Sequence, residues 1–350
     1  MLRLMKLTAL GLARSSGLIE AIAGNRWRQS RLLILCYHGL SLKDEHQWRP
    51  MFVTPDFFRR RLEILARRHY RVLRLDEALA KVREGSLPPK AVVITFDDGF
   101  HDFHRFGFPA LGEFGFPATV YQTTYYSDHA CPVFNMVLSY LFWRGAGRRL
   151  DGAHYGVPGV FELSHETEHT ALVDAFVAAA RKGSYTAEQR NEIAAAIASE
   201  LGVDYAEIMR LRMLQLMTAG EIGEISAGGI DVQLHTHRHR APLDERLFLR
   251  EIDENREWLA AATGVVPKHF CYPSGQYRSE FWPLAARRAG RLRNHLRSRA
   301  GYPLIRSAPV AQVPRFHAGD GGRVRVVALR FFFLPAASSR VSGEDSRSWN

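Results

Sequence analysis

The stretch Ala91-Val92-Val93-Ile94-Thr95-Phe96-Asp97-Asp98-Gly99 decides how this chain reads. Its first six residues are apolar or β-branched and predict a buried strand. Two adjacent carboxylates and a glycine follow directly. Carboxylates at the end of a buried strand are costly unless a metal or a shared proton compensates them. Asp-Asp-Gly is also good turn chemistry, so the stretch alone supports either reading.

A second segment repeats the arrangement. Gly229-Ile230-Asp231-Val232-Gln233-Leu234 runs into His235-Thr236-His237-Arg238-His239, so another predicted strand ends in metal-ligand side chains. His235 and His239 together with Asp98 make two imidazoles and one carboxylate. Such a set leaves coordination positions open for water and substrate, as catalytic zinc sites do, and it suits other divalent metals as well. Asp97 then remains to act as a base while water attacks a carbonyl, the chemistry of an ester or amide hydrolase. A third predicted strand end, Phe270-Cys271-Tyr272-Pro273-Ser274-Gly275, is expected to wall the same cavity with Tyr272, Pro273 and Gly275. His38 follows a first predicted strand over 31–36 and is expected to add a polar group to the pocket.

Working outward, the first third alternates strand and helix. Thr54-Pro55-Asp56 is a helix start, Arg71-Val72-Leu73 a short strand, 76–84 a helix, and 117–122 another strand. That is an α/β pattern with parallel strands. Residues 126–216 differ: helices are predicted at 133–143, 168–182, 186–201 and 204–217, with a loop near 152–160. This segment reads as a helical insertion beside the mouth formed by the strand ends. The alternation resumes with a helix at 218–227 and an amphipathic helix at 244–262, with Leu247, Leu249, Ile252 and Leu259 expected inward. A further helix is expected over 281–289.

The 350 residues, 46% hydrophobic and 24% charged, are those of a globular protein and not of a disordered one. The formal charge is +11, and it is concentrated locally: residues 287–306 carry seven arginines and no acid. No helix-turn-helix, zinc finger or aromatic RNA-binding signature accompanies this charge, so no nucleic-acid partner is expected. The arginine density around 291–299 suits a solvated or anion-binding surface better than a barrel strand. Cys36, Cys131 and Cys271 are far apart in sequence and show neither metal spacing nor a disulfide framework. Residues 1–30 are expected to be a helical extension whose basic character suits peripheral contact with a membrane. No clear signal peptide is visible, which favours a cytoplasmic or inner-membrane-peripheral location. Residues 31–335 form the main domain in this reading, and 336–350 a frayed tail.

Thr95-Phe-Asp-Asp-Gly99, His235-Thr-x-x-His239 and Phe270-x-Tyr-Pro-x-Gly275, with Tyr37-His38 on the first strand, resemble the motifs of the polysaccharide deacetylases. These are the NodB-homology enzymes of carbohydrate esterase family 4. The resemblance covers about 31–125 and 218–290. It implies a distorted (β/α)7 TIM-like barrel, a divalent metal that is usually zinc, and removal of N-acetyl or O-acetyl groups from a polysaccharide, glycan or glycolipid. By the same resemblance Asp97 is the catalytic base, and Asp98, His235 and His239 are the metal ligands. Two departures stand out. Many members carry an arginine in the third motif that braces the catalytic aspartate, and Cys271 stands near that place. The late histidine that serves as general acid has only His317 and His295 as candidates. These departures motivate an alternative, a catalytically weak or inactive carbohydrate-binding relative on the same barrel. A third reading is a peptide or cyclic-amide hydrolase on that scaffold.

Overall fold

The computed structural model describes residues 25, 31–163, 166–275, 295–297 and 327–329. Most of the expected N-terminal extension, the helix at 281–289, His317 and the tail 336–350 lie outside the described residues. Parallel strands dominate the described chain: β1 (Leu33–Tyr37), β4 (Arg71–Val72), β5 (Ala91–Asp98), β6 (Thr119–Gln122), β9 (Asp231–Leu234), β10 (Phe270–Tyr272), β11 (His295–Arg297) and β12 (Val327–Leu329). The sheet order is β11-β10-β9-β6-β5-β1-β12, and β4 pairs with the start of β5. Short β2 (Gly39–Leu40) and β3 (Phe52–Val53) pair beside it, as do β7 (Arg149–Asp151) and β8 (Val160–Glu162). The main sheet curls into a partial barrel with helices around it: the strand-helix alternation implied the parallel α/β pattern, and the family resemblance implied the barrel.

The two faces of the sheet separate by residue parity, as a period of two requires. On the outer face Leu33, Leu35, Tyr37, Val92, Ile94, Phe96, Val120, Val232, Leu234, Phe270 and Tyr272 pack under the helices. On the inner face Leu32, Ile34, Ala91, Val93, Tyr121 and Cys271 meet Leu75, Ala78 and Leu79 of the helix Leu75–Glu84. Burial on both faces is why β5 reads as a continuous apolar run without alternation. The helix Pro55–Arg67 starts at Thr54, whose hydroxyl accepts from the Phe57 amide at 3.2 Å, and buries Phe58, Leu62 and Leu65. Each such side chain contributes about 1.5–3 kcal/mol relative to exposure.

Residues 126–216 build most of a second core around Phe134, Leu138, Leu141, Phe142, Phe176 and Ile197, which Trp48, Phe52 and Phe100 also enter. Its helices are Phe134–Arg144, Glu166–Lys182, Ala187–Glu200 and Tyr205–Arg210. Both ends of the segment sit at the C-terminal ends of the strands. The Tyr125 amide donates to the His237 carbonyl at 2.8 Å, and the Met217 amide to Gly99 at 3.0 Å.

Several expectations need correction. β5 runs through both aspartates instead of ending at Phe96, because Asp97 and Asp98 continue the pairing onto Tyr121 and Gln122. The loop expected near 152–160 is present, as the connection of the antiparallel pair β7–β8 with a 3₁₀ turn at Gly152–Tyr155. The helix expected over 204–217 stops at Arg210, since Arg212 and Leu214 take left-handed backbone angles. In the helix Glu245–Thr263, Leu247 is exposed and Phe248 occupies the buried position, so the inward stripe runs Phe248, Ile252, Leu259. The arginine-rich stretch, read as a solvated surface, contributes β11 to the sheet beside β10. An end position with one paired neighbour among the described strands tolerates composition that a central strand would not.

Candidate active site

The register aligns the functional strand ends. Asp98 pairs with Gln122, Gln122 with Leu234, and Leu234 with Phe270. His235 therefore begins one residue past a shared rim, where the active sites of parallel barrels lie.

Consecutive residues in a strand point to opposite faces, yet Asp97 and Asp98 both reach the site. Asp97 shares inner-face parity with Ala91 and Val93. Asp98 has φ 71°, a left-handed angle that turns its carboxylate out of the strand alternation. Thr236 (φ 66°) and His239 (φ 52°) carry the same strain in the opposite rim segment. Such angles cost roughly 1–3 kcal/mol each and persist where surrounding contacts over-determine them.

Three sequence-expected ligands come together. His235 Nε2 lies 3.3 Å and His239 Nε2 3.0 Å from the same oxygen, Asp98 Oδ1. That oxygen is buried and accepts no hydrogen bond. Two imidazole nitrogens converging on an orphaned carboxylate oxygen fit a divalent cation: donors held at about 2.0–2.1 Å in a tetrahedron stand roughly 3.3 Å apart. Burial by itself would push the Asp98 carboxyl up, but His239, His235 and His38 together hold it well below the usual carboxylate range. Burial likewise opposes charge on His235, and the neighbouring carboxylates of Asp98 and Asp97 outweigh it and raise its pKa.

Asp97 is buried beside this trio. Its Oδ2 lies 3.8 Å from His38 Nε2, so the expected pocket histidine is present. The same oxygen is 3.5 Å from Cys36 Sγ and 3.9 Å from Cys271 Sγ. Two cysteines that show no spacing in the sequence thus meet at one carboxylate. Cys36, His38 and Cys271 arrive there because each occupies the inward parity of its strand.

The third motif is only partly where it was expected. Tyr272 faces away from the cavity: its ring stacks on Phe248 at 6.0 Å and meets Phe270 edge-on at 4.7 Å, in the outer core. With Cys271 turned inward, its neighbour on a strand must point outward. Pro273 is buried and Pro273–Gly275 form a short 3₁₀ turn, with Ser274 at a left-handed φ of 54°.

A buried polar network that sequence reasoning missed supports the ligands. The His235 amide donates to Asn255 Oδ1 at 3.0 Å, and Asn255 Nδ2 donates to the Gln122 carbonyl and to Thr124 Oγ1, each at 3.0 Å. Gln122 Nε2 donates in turn to the carbonyls of Gly99 and Thr123, at 3.3 and 2.6 Å. Glu251, also buried, accepts from the Arg238 amide at 2.8 Å and from Arg240 Nε at 2.6 Å, pinning the segment on both sides of His239. The available signal was Glu251 and Asn255 at i, i+4 on the apolar face of the helix Glu245–Thr263.

Residues 176–291 match the family model described as polysaccharide deacetylase. No curated protein matches the chain. Among solved structures, the chain is similar to the Streptococcus pyogenes deacetylase PplD in complex with acetate, at 17% identity over 74% of this chain and 80% of that one, with a TM-score of 0.46. It is also similar to IcaB from Ammonifex degensii, at 18% identity over 74% and 80% of the two chains and a TM-score of 0.44. A third is the BpsB deacetylase domain from Bordetella bronchiseptica, at 15% identity over 77% and 88%, TM-score 0.42. The matched family segment contains His235, His239 and the third motif, and the Asp97–Asp98 rim lies outside it.

Proposed function

We propose that this chain removes acetyl groups, N-acetyl first among them, from a glycan or glycolipid with the help of a divalent cation. The observation that carries the proposal is Asp98 Oδ1, buried, without a hydrogen bond and within 3.3 Å of both imidazole nitrogens, with the Asp97 carboxylate on the next residue. Asp98, His235 and His239 would hold the cation, zinc first among the candidates. When bound, a divalent cation lowers the pKa of water and stabilises negative charge developing on the acetyl carbonyl. Asp97 Oδ2 takes a proton from the attacking water and returns it to the departing amine nitrogen, so the proton count balances. His38, 3.8 Å away, orients that carboxylate. Burial of Asp97 keeps bulk water from competing for its proton.

The test is acetate release from N-acetylglucosamine oligomers and cell-envelope glycans, with and without chelator, together with metal analysis of the purified protein. Chelator-sensitive acetate release supports the reading. Glycan binding with no acetate over a broad panel would overturn it in favour of a catalytically weak or inactive carbohydrate-binding relative. One observation favours that second reading: thiols, not a guanidinium, stand beside Asp97. Release of amine products without acetate would point to the peptide or cyclic-amide reading.

A further inference from the structure

Three groups with metal-ligand character occur among the described residues: Asp98-His235-His239, His101-His104-Glu221 and Cys36-His38-Asp97. The first is the proposed centre. In the second, Glu221 is already committed to Arg212, with both of its oxygens engaged at 2.5 and 3.0 Å, and to the cap of the helix Ala219–Ala227. A cation there would have to displace a guanidinium. The third group includes Asp97, the proposed base. Its three donor atoms all lie within 4.8 Å of one another.

We infer that Cys36, His38 and Asp97 form a second cation subsite at the barrel mouth, selective for thiophilic divalent ions such as Zn²⁺ or Cd²⁺, and that filling it inhibits the enzyme. The geometry is close to what such an ion requires. Cys36 Sγ stands 3.5 Å and His38 Nε2 3.8 Å from Asp97 Oδ2. A tetrahedral ion with a sulfur bond of about 2.3 Å and nitrogen or oxygen bonds of about 2.0–2.1 Å places its donors roughly 3.3–3.5 Å apart. Cys36 lies on β1 and His38 directly follows its last residue, so at i, i+2 they share a face, and Asp97 lies on the adjoining parallel strand. A fourth soft donor, Cys271 Sγ, lies 3.9 Å from the same carboxylate oxygen. The Tyr121 hydroxyl is buried on this inner face with no hydrogen-bond partner.

Thiolate ligation explains the selectivity. Sulfur donors favour Zn²⁺ and Cd²⁺ over Mn²⁺ or Mg²⁺. Binding releases the Cys36 thiol proton to solvent and directs an Asp97 lone pair to the ion. A carboxylate so engaged cannot take a proton from water. The inhibitory consequence rests on Asp97 being the base, whereas the binding itself does not.

The two claims separate in a cadmium titration followed by equilibrium dialysis and by the ultraviolet thiolate-to-cadmium charge-transfer band. All proteins carry Cys131→Ser, which removes the remote buried thiol. The parent should take up two equivalents and develop the band. Cys36→Ser should lose one equivalent and the band, and His38→Ala should lose the same equivalent. His235→Ala should keep the band and lose the other equivalent. Manganese should fill one site only, with no inhibition at concentrations where cadmium abolishes acetate release. One equivalent without a band in the parent would overturn the subsite, and so would a band that survives unchanged in Cys36→Ser. One equivalent with a band lost in Cys36→Ser would uphold the subsite while removing the Asp98-His235-His239 centre.

Discussion

The imidazole of His235 donates its Nδ1–H to the main-chain carbonyl of Cys271 at 2.8 Å. A carbonyl oxygen only accepts, so Nδ1 carries the proton and the Nε2 lone pair faces Asp98. This is how protein metal centres commonly select the tautomer of a ligand histidine. The same residue addresses the other half of the site, because the Cys271 thiol points at Asp97 Oδ2. One residue of β10 therefore orients a proposed ligand with its backbone and borders the proposed base with its side chain.

The two neighbouring aspartates should separate by phenotype. Asp98→Asn replaces a carboxylate by a weaker ligand and should lower cation occupancy. Asp97→Asn should keep the cation and reduce kcat about 10²–10⁴-fold, the usual cost of losing a general base. KM should change little, since the proton moves only in the transition state. Metal content, Tm and kcat measured on both variants check this. Full activity in a folded, cation-loaded Asp97→Asn protein would remove Asp97 from that role.

Asn255 should matter although it touches no ligand nitrogen. Asn255→Ala strands the His235 amide, which donates to Asn255 Oδ1, and removes the donor that reaches the Gln122 carbonyl. A buried group left unsatisfied costs about 1–3 kcal/mol. Cation affinity should fall roughly 10–100-fold, as it does when outer partners of ligand histidines are removed. Denaturant unfolding and a cation titration read the two effects. Unchanged affinity in a destabilised variant would confine Asn255 to folding.

Gly99 has φ +79°, and a Cβ there would sit 1.8 Å from Gln122 Oε1. Gly85 has a similar angle, φ +70°, with nothing within 4 Å. Gly85→Ala should therefore cost only the backbone term, about 1–2 kcal/mol. Gly99→Ala should cost more and should also weaken cation binding, because Gln122 must leave the carbonyls it holds at the rim. Equal losses of stability in the two variants would show that Gln122 moves aside freely.

Acid sensitivity should depend on Glu221. Burial raises this carboxyl, but hydrogen bonds from His101, Arg212 and the Thr218 backbone outweigh it and hold it well below the usual range. A folded pKa below the unfolded value of about 4.3 means that stability is present above that pH. It is lost progressively as pH falls from the unfolded value toward the lower folded one, because the unfolded chain takes the proton first. Glu221→Gln should flatten the stability curve below about pH 5 and lower its plateau at neutral pH. An acid limb identical to that of the parent would refute this contribution.

Much of the site was legible locally. An apolar run followed by Asp97-Asp98, and another followed by His235 and His239, mark strand ends bearing ligand-type side chains whatever the fold. Helix starts such as Thr54-Pro55 were equally readable, because capping is settled within four residues. Tyr272 was misread although its outward direction was implicit in strand alternation once Cys271 points in. Leu247 was misread because a one-residue shift of phase still leaves an apolar stripe.

What the sequence determined by itself was the chemistry available: which carboxylates and imidazoles end the buried strands, and that the strands run parallel. The tertiary structure alone decided which of them meet. Residues 36, 97, 235 and 271 share inward parity, but parity brings them together only when the sheet order and its curl are set by non-local pairing. The left-handed turn at Asp98 is held by contacts to Gln122, and the His235 tautomer by the Cys271 carbonyl. Those partners lie 24 and 36 residues away along the chain, a separation that no local period encodes.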